Sequence, residues 1–126
     1  MTDLQSRTQV GLTTSQVWIT ALLLGTNLIF NVVSNASFKA SADARAWRAF
    51  LAWQVAGNLA GFATVITLTA LLRRWPLHVA FPVTTGLAVI GVQVVGAHWI
   101  YNEPIRPVQW LGTFLVVAGI WLIGAR

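Results

Sequence analysis

Four long apolar runs dominate the chain, and short polar stretches separate them. No charged residue lies between Arg74 and Glu103, an interval of 28 residues, and about 20 apolar residues suffice for a helix to cross a membrane. The runs occupy about residues 17–38, 49–72, 77–101 and 107–125. The pattern predicts an all-α membrane protein, with a polar N-terminal tail over 1–16 and a four-helix transmembrane domain over 17–126.

The composition favours a membrane protein over a soluble one. Of the 126 residues, 56% are hydrophobic and 9% are charged, whereas soluble domains have about 25% charged residues. The net charge of +5 suits the anionic surface of a bilayer, and no basic stripe with interleaved aromatics indicates nucleic-acid binding. We therefore predict a multi-pass integral membrane protein that contacts membrane lipid and not nucleic acid.

Asparagines recur every four residues in the first run, at Asn27, Asn31 and Asn35. This spacing places them along one side of a helix, and such a row should face protein or a wet cavity. Two interpretations remain open. The amides form hydrogen bonds between helices, which contribute about 0.6–2 kcal/mol each in membranes, or they line a cavity that binds a polar substrate.

Two cations and one hydroxyl join the asparagines as candidate substrate-binding residues. Lys39 and Arg45 lie in the predicted first connection, over 39–48. They either extend to the membrane interface as snorkelling groups or receive a lipid phosphate. Thr84 is a polar group in the middle of the third run, where a threonine can also bond the backbone of its own helix.

Glycines mark predicted helix contacts because they let two backbones approach closely. Gly57 and Gly61 form a G-x-x-x-G motif in the second run, and Gly86 lies in the third. Gly112 and Gly119 are seven residues apart in the fourth run and share a side of that helix.

Prolines predict a bend and two helix ends. Pro82 cannot donate to the carbonyl of His78, so we expect the third helix to bend there. Pro104 should end the third helix, and Pro107 suits the first turn of the fourth.

Basic residues are balanced between the two sides of the predicted bundle. One side has Arg7, Arg73, Arg74 and Arg126, and the other has Lys39, Arg45, Arg48 and Arg106. The positive-inside rule therefore selects no orientation, and insertion in both orientations, giving an antiparallel pair, is a hypothesis.

The sequence contains no recognisable constellation for catalysis. All three acids, Asp3, Asp43 and Glu103, lie outside the predicted spans, so no paired intramembrane carboxylates are available for acid–base chemistry. The two histidines lack metal-ligand spacing, and no phosphate-binding loop is present. We predict no enzyme, no metal and no cofactor.

Three local patterns resemble the small multidrug resistance (SMR) and EamA transporter superfamily over about residues 17–125. They are Asn35 and Lys39 at the end of the first helix, P-L-H-V-A-F-P-V-T-T-G from Pro76, and N-E-P from Asn102 before a glycine-bearing helix. The resemblance implies an SMR-like four-helix bundle.

Proton-coupled SMR exporters carry a glutamate where this chain has Asn31, and an amide cannot exchange protons in that way. The tryptophan of their third helix is replaced here at or near Thr84.

Within the superfamily, the chain is most similar to the flippase subunits thought to move aminoarabinose-phosphoundecaprenol across the bacterial inner membrane. Those subunits also have an amide four residues before the lysine, as Asn35 is here, and a third connection similar to N-E-P followed by Pro107 and Trp110. The implied function is a flippase subunit for a polyprenyl-phosphate-linked sugar or a related anionic lipid. The asparagines would solvate the sugar, Lys39 and Arg45 would attract the phosphate, and Glu103 would cap or brace the loop.

Four helices are too few to enclose a headgroup pathway, so we expect a homodimer, or a heterodimer with a paralogous four-helix subunit, with binding at the interface between repeats. Two alternatives remain. One is a non-transporting accessory subunit of a larger membrane complex, and the other is an SMR-type exporter of small cations or metabolites.

Overall fold

The computed structural model describes residues 14–125, and these residues form helices without any strand. The helices are α1 (Thr14–Asp43), α2 (Trp47–Leu72), α3 (Leu77–Gly91) with a π-helical continuation (Val92–Ile100), and α4 (Pro107–Gly124). Each of the four, counting α3 and its continuation as one, is long and apolar enough to cross a membrane. The prediction of an all-α membrane protein with four transmembrane helices is confirmed.

The N-terminal tail is shorter than predicted where the structure describes it. Helix α1 includes Thr14, so residues 14–16 are helical rather than part of a polar tail. The rest of the predicted tail, together with Arg7 and Arg126 of the charge balance, lies outside the described residues.

The first connection is also shorter than predicted. Helix α1 continues through Lys39 to Asp43, so residues 44–46 alone join it to α2, and the prediction of a connection over 39–48 is wrong. The helix continues because its last turns still pack on α2. Ser41 is fully buried, and its hydroxyl donates to the carbonyl of Phe50 at 2.9 Å. Lys39 therefore lies on a helix, whereas Arg45 remains in the connection.

Helices α1 and α2 pack antiparallel through a seven-residue repeat of polar contacts. Three side chains of α1, seven residues apart, donate to three backbone carbonyls of α2 that are also seven residues apart. The pairs are Asn27 with Thr64 at 2.9 Å, Ser34 with Gly57 at 2.8 Å, and Ser41 with Phe50 at 2.9 Å. A seven-residue repeat keeps one seam of contacts between two slightly supercoiled helices. These bonds fix the register of the two helices.

Close helix approach occurs at some of the predicted glycines and not at others. A Cβ on Gly57 would lie 2.6 Å from the ring of Phe38, and a Cβ on Gly86 would lie 2.6 Å from Cγ1 of Ile120. Gly61 lies at an ordinary distance of 3.4 Å from Ser34 Oγ, measured in the same way. These glycines lie where helices of the same chain meet.

Gly112 and Gly119 lie at no such contact within the described chain. No described atom outside their own helix backbone and chain neighbours comes within 4 Å of a Cβ built on either residue. The reason is the orientation of α4, whose Ile120 side faces Gly86 of α3. The helix contact predicted for this glycine pair is therefore not made inside the chain.

The third helix departs from regular α geometry after Gly91. Helix α3 runs unbroken from Leu77 to Gly91 with Pro82 inside it, because a proline so near the start removes only the bond to an early carbonyl. The following segment is a π-helix, in which N–H groups bond five residues back. The bend expected at Pro82 stays a prediction, and the π-helical segment Val92–Ile100 is a feature that the sequence analysis did not predict.

Helix α4 begins at Pro107, as predicted, and among the described helices it packs on α3 and contacts the π-helical continuation through Gln93. Thr113 is its only buried residue in the described part, and its hydroxyl donates to Oε1 of Gln93 at 2.7 Å. Most of the remaining α4 surface is apolar and exposed.

Candidate functional site

The row of asparagines on α1 does not face a single cavity. Each four-residue step rotates a side chain by about 40° around an α-helix, so Asn35 points about 80° away from Asn27. Asn27 is 3% exposed and lies in the contact with α2, whereas Asn35 is exposed beside the π-helical segment. The row starts in a helix contact and ends in a groove.

Asn27 forms hydrogen bonds between helices. Its amide donates to the carbonyl of Thr64 and to the hydroxyl of Thr67, both at 2.9 Å. Its Oδ1 accepts from the amide of Asn31 at 3.0 Å. Because these contacts use both its donor and acceptor atoms, Asn27 fits the first of the two interpretations of the row.

A cavity of about 190 Å³ opens between the end of α1, the π-helical segment and the third connection. Its polar lining comes from α1 and from the connection, and its apolar lining comes mainly from the π-helix. The lining residues are Asn35, Ala36, Lys39, Val92, Gly96, Ala97, Tyr101 and Glu103. The cavity therefore combines an amide, an ammonium group, a phenol and a carboxylate with an apolar wall.

Lys39 lies between two carboxylates at the mouth of this cavity. Its Nζ is 3.4 Å from Oδ1 of Asp43 and 3.9 Å from Oε1 of Glu103. The Lys39 and Glu103 side chains are 45% and 48% exposed, and ion pairs so accessible to solvent contribute little stability. The two ion pairs therefore hold the ammonium group only weakly, and an incoming anion can compete with the carboxylates for it. The pair spans α1 and the third connection, and the expectation that Glu103 caps or braces the loop stays a prediction.

The third connection is also held against α1 by the side chain of Tyr101, while its backbone bonds back to the π-helical segment. The hydroxyl of Tyr101 donates to the carbonyl of Ala36 at 2.6 Å. Asn102 has a φ of 55°, a left-handed conformation that asparagine tolerates. The N–H of Glu103 then donates to the carbonyl of Ala97 at 2.8 Å. Together these contacts fix the backbone of Glu103, and Pro104 follows directly in the connection.

Sequence reasoning missed Tyr101 as a site residue. The signal was available, because a lone tyrosine beside a predicted helix end has an amphipathic ring and a hydroxyl that needs a partner.

Two neighbouring cavities, of about 440 and 410 Å³, extend the first one along the π-helical segment. Both include Ala97 and Gln93 in their lining. One reaches Thr85 and the other reaches Thr113 on α4. We call the three cavities together the side groove. Polar groups are spaced along it, so a polar group entering at Lys39 would meet further partners.

Other predicted binding residues lie outside the side groove. Thr84 is buried, and its hydroxyl donates to the carbonyls of Ala80 and Phe81 at 2.9 and 3.1 Å, so it bonds its own helix. Arg45 is exposed in the first connection and does not line the side groove. Asn35 and Lys39 are the two predicted binding residues that line it.

Comparisons with family models, with curated proteins and with solved structures give no match to this chain. The fold itself defines the class of protein. The chain is a small multi-pass membrane protein, an all-α bundle of four apolar helices.

Proposed function

We propose that this protein is a flippase subunit for a polyprenyl-phosphate-linked sugar or a related anionic lipid, in the inner membrane of a bacterium. One observation carries the proposal: the side groove joins the ammonium of Lys39 and the amide of Asn35 to an apolar wall that includes Val92 and Ala97. An amphipathic substrate needs this combination, because its headgroup must be solvated by polar groups while its tail stays in lipid.

Each polar group of the site has a distinct task in this proposal. Lys39 pairs with the phosphate in place of its loose contact with Glu103. Asn35 donates to the carbonyl of Asn31 at 2.9 Å, and its Oδ1 accepts no hydrogen bond from any residue that the structure describes. This oxygen can therefore accept a sugar hydroxyl, which is both donor and acceptor.

A second subunit completes the proposed pathway. The cavity at Lys39 measures about 190 Å³ and continues into the two larger cavities of the side groove, whose lining includes exposed residues such as Asn35, so a single subunit leaves the pathway open at its surface. Helix α4 offers a contact surface for a second copy or a paralogous subunit, because Gly112 and Gly119 are open in the described chain and small residues favour close packing in membranes.

Transfer into reconstituted vesicles tests the proposal. The probe is a water-soluble, short-chain polyprenyl phosphate linked to a sugar, and its protected fraction is measured over time. We expect Lys39→Gln to slow transfer about tenfold, the worth of one charge-assisted hydrogen bond, and Asn35→Ala to slow it about fivefold, the worth of one neutral hydrogen bond. Lys39→Arg should retain most of the rate.

Matched controls come from residues outside the side groove. Arg48→Gln removes a cation at the same end of the bundle, and Asn58→Ala removes an amide that bonds Gln54 on α2. Both should transfer at the wild-type rate. Equal rates for wild type, Lys39→Gln and Asn35→Ala would reject the proposed roles.

An accessory subunit of a larger complex is the second candidate function. The observation that favours it is the exposed Asn58 in the middle of α2, since polar groups within membrane spans usually face a protein partner or a water-filled cavity. Copurification with a larger membrane protein at fixed stoichiometry, without lipid transfer by this chain, would select this function.

A further inference from the structure

The seven-residue repeat on α1 has a fourth member that lacks its partner. Thr20 lies seven residues before Asn27 and is 7% exposed. The corresponding carbonyl on α2 belongs to Leu71, seven residues after Thr64. That carbonyl accepts the N–H groups of Arg74 and Trp75, both at 2.9 Å. No described residue forms a hydrogen bond with the Thr20 hydroxyl.

Thr20 is buried as a residue, but its hydroxyl oxygen is accessible, because every fully buried side-chain N or O atom among the described residues has a hydrogen-bond partner. Ser37 shows the usual local solution, because its hydroxyl donates to the carbonyl of Val33 four residues earlier at 2.8 Å. Thr20 makes no such bond to its own helix. Its hydroxyl is left for a group that enters from outside the described chain.

A cavity of about 580 Å³ lies beside Thr20, within the range of small-molecule sites, roughly 300–1,000 Å³. Helix α1 lines one side of it, and the end of α2 with the second connection lines the other. The lining residues are Gln16, Thr20, Leu23, Ala70, Arg73, Arg74 and Trp75. Neither arginine forms an ion pair with a residue that the structure describes. The cavity therefore joins two arginines to a threonine whose hydroxyl is accessible and has no partner in the described chain.

We propose that this cavity binds the phosphate of an anionic membrane lipid. Arg73 and Arg74 supply donors in the fork geometry that suits phosphate oxygens, and the Thr20 hydroxyl donates to the same group from below. Trp75 places the cavity at the depth of the lipid headgroups, where tryptophan is enriched. Thr20 lies about 6 Å deeper along the helix than Gln16, one turn into the bilayer.

The arginines alone would not require a ligand. Cations near a helix C-terminus interact favourably with its dipole, and long basic side chains commonly extend to the interface. These effects leave Thr20 unexplained, whereas a bound phosphate accounts for all three residues. The inference does not depend on the proposed function, because it concerns the opposite end of the antiparallel α1–α2 pair from Lys39.

Native mass spectrometry of the full chain in mild detergent tests this site. The probes are phosphatidylglycerol and phosphatidylcholine with identical acyl chains, added at equal concentration. We expect the wild type to retain phosphatidylglycerol preferentially. Arg73→Gln with Arg74→Gln should lower that retention roughly 25-fold, about fivefold for each cation at an anionic surface. Arg48→Gln with Arg106→Gln, a matched loss of two cations at the other end, should leave it unchanged.

Variants of Thr20 distinguish a built site from general surface charge. Thr20→Val, which keeps the shape, should lower retention of phosphatidylglycerol about tenfold, and Thr20→Ser should restore it, because a hydrogen bond to a charged group is lost and regained. Wild-type retention by Thr20→Val would overturn the proposal. Displacement of the lipid by millimolar inorganic phosphate would overturn the assignment to lipid and identify free phosphate as the ligand.

Discussion

The hydroxyl of Tyr101 donates to the backbone carbonyl of Ala36 at 2.6 Å, and this bond joins the third connection to the first helix across 65 positions of sequence. It lies next to Asn35, which lines the same cavity. The position of Glu103 relative to Lys39 therefore depends on one phenol as well as on their own weak ion pair.

Removal of that phenol should loosen the connection. Tyr101→Phe keeps the ring and loses the donor, so we expect a loss of about 1 kcal/mol in the free energy of unfolding. Hydrogen exchange of the Glu103 amide, which donates to Ala97, should accelerate. Unchanged exchange at Glu103 would show that the backbone turn holds the connection without the phenol.

The serines of α1 provide a matched test of the seven-residue repeat. Ser41 donates across to Phe50 on α2, whereas Ser37 donates to Val33 of its own helix, and both are buried. We expect Ser41→Ala to lower the free energy of unfolding by about 0.6–1.7 kcal/mol, the range for bonds between membrane helices. Ser37→Ala should have a smaller effect. Titration into a denaturing detergent measures both, and equal losses would contradict the assigned register.

The seven-residue repeat is visible in the sequence as Thr20, Asn27, Ser34 and Ser41. The sequence analysis used only the four-residue spacing of the asparagines and did not predict this repeat. Four residues exceed one helical turn by about 40°, so such a row leaves one face gradually, whereas a seven-residue row follows the seam between two helices. The longer period therefore identifies the partner-facing side, and the shorter one does not.

Asn27 and Asn35 should respond differently to the same substitution. Asn27→Leu removes the bonds to Thr64 and Thr67, so we expect a loss of about 1–2 kcal/mol in the free energy of unfolding. Asn35→Leu removes only a bond to its own helix and should change stability by less than about 0.5 kcal/mol. Thermal unfolding in detergent measures both. Equal destabilisation would mean that Asn35 also supports the fold.

The apolar runs were sufficient to predict the four helices, because crossing a membrane demands length and apolarity that are visible in sequence. The details of the site were less accessible. Thr84 was a candidate by its depth in the span, but its hydroxyl bonds Ala80, a local choice that depends on the rotamer. The π-helical geometry after Gly91 was not predicted, because the apolar periodicity of a membrane span does not show a change in the backbone hydrogen-bond pattern.

The contrast between Gly86 and Gly119 separates folding of the chain from its association. Gly86→Ala places a methyl group against Ile120, and overpacking of this kind costs about 1–3 kcal/mol. We expect α4 to detach more readily from α3, measured as faster hydrogen exchange in α4.

A Cβ built on Gly119 has no neighbouring atom within 4 Å in the described chain, so Gly119→Ala should leave that exchange unchanged. If α4 contacts a second subunit through this side, Gly119→Ala should instead weaken the oligomer in native mass spectrometry. An unaltered oligomer with Gly119→Leu as well would place the subunit contact elsewhere.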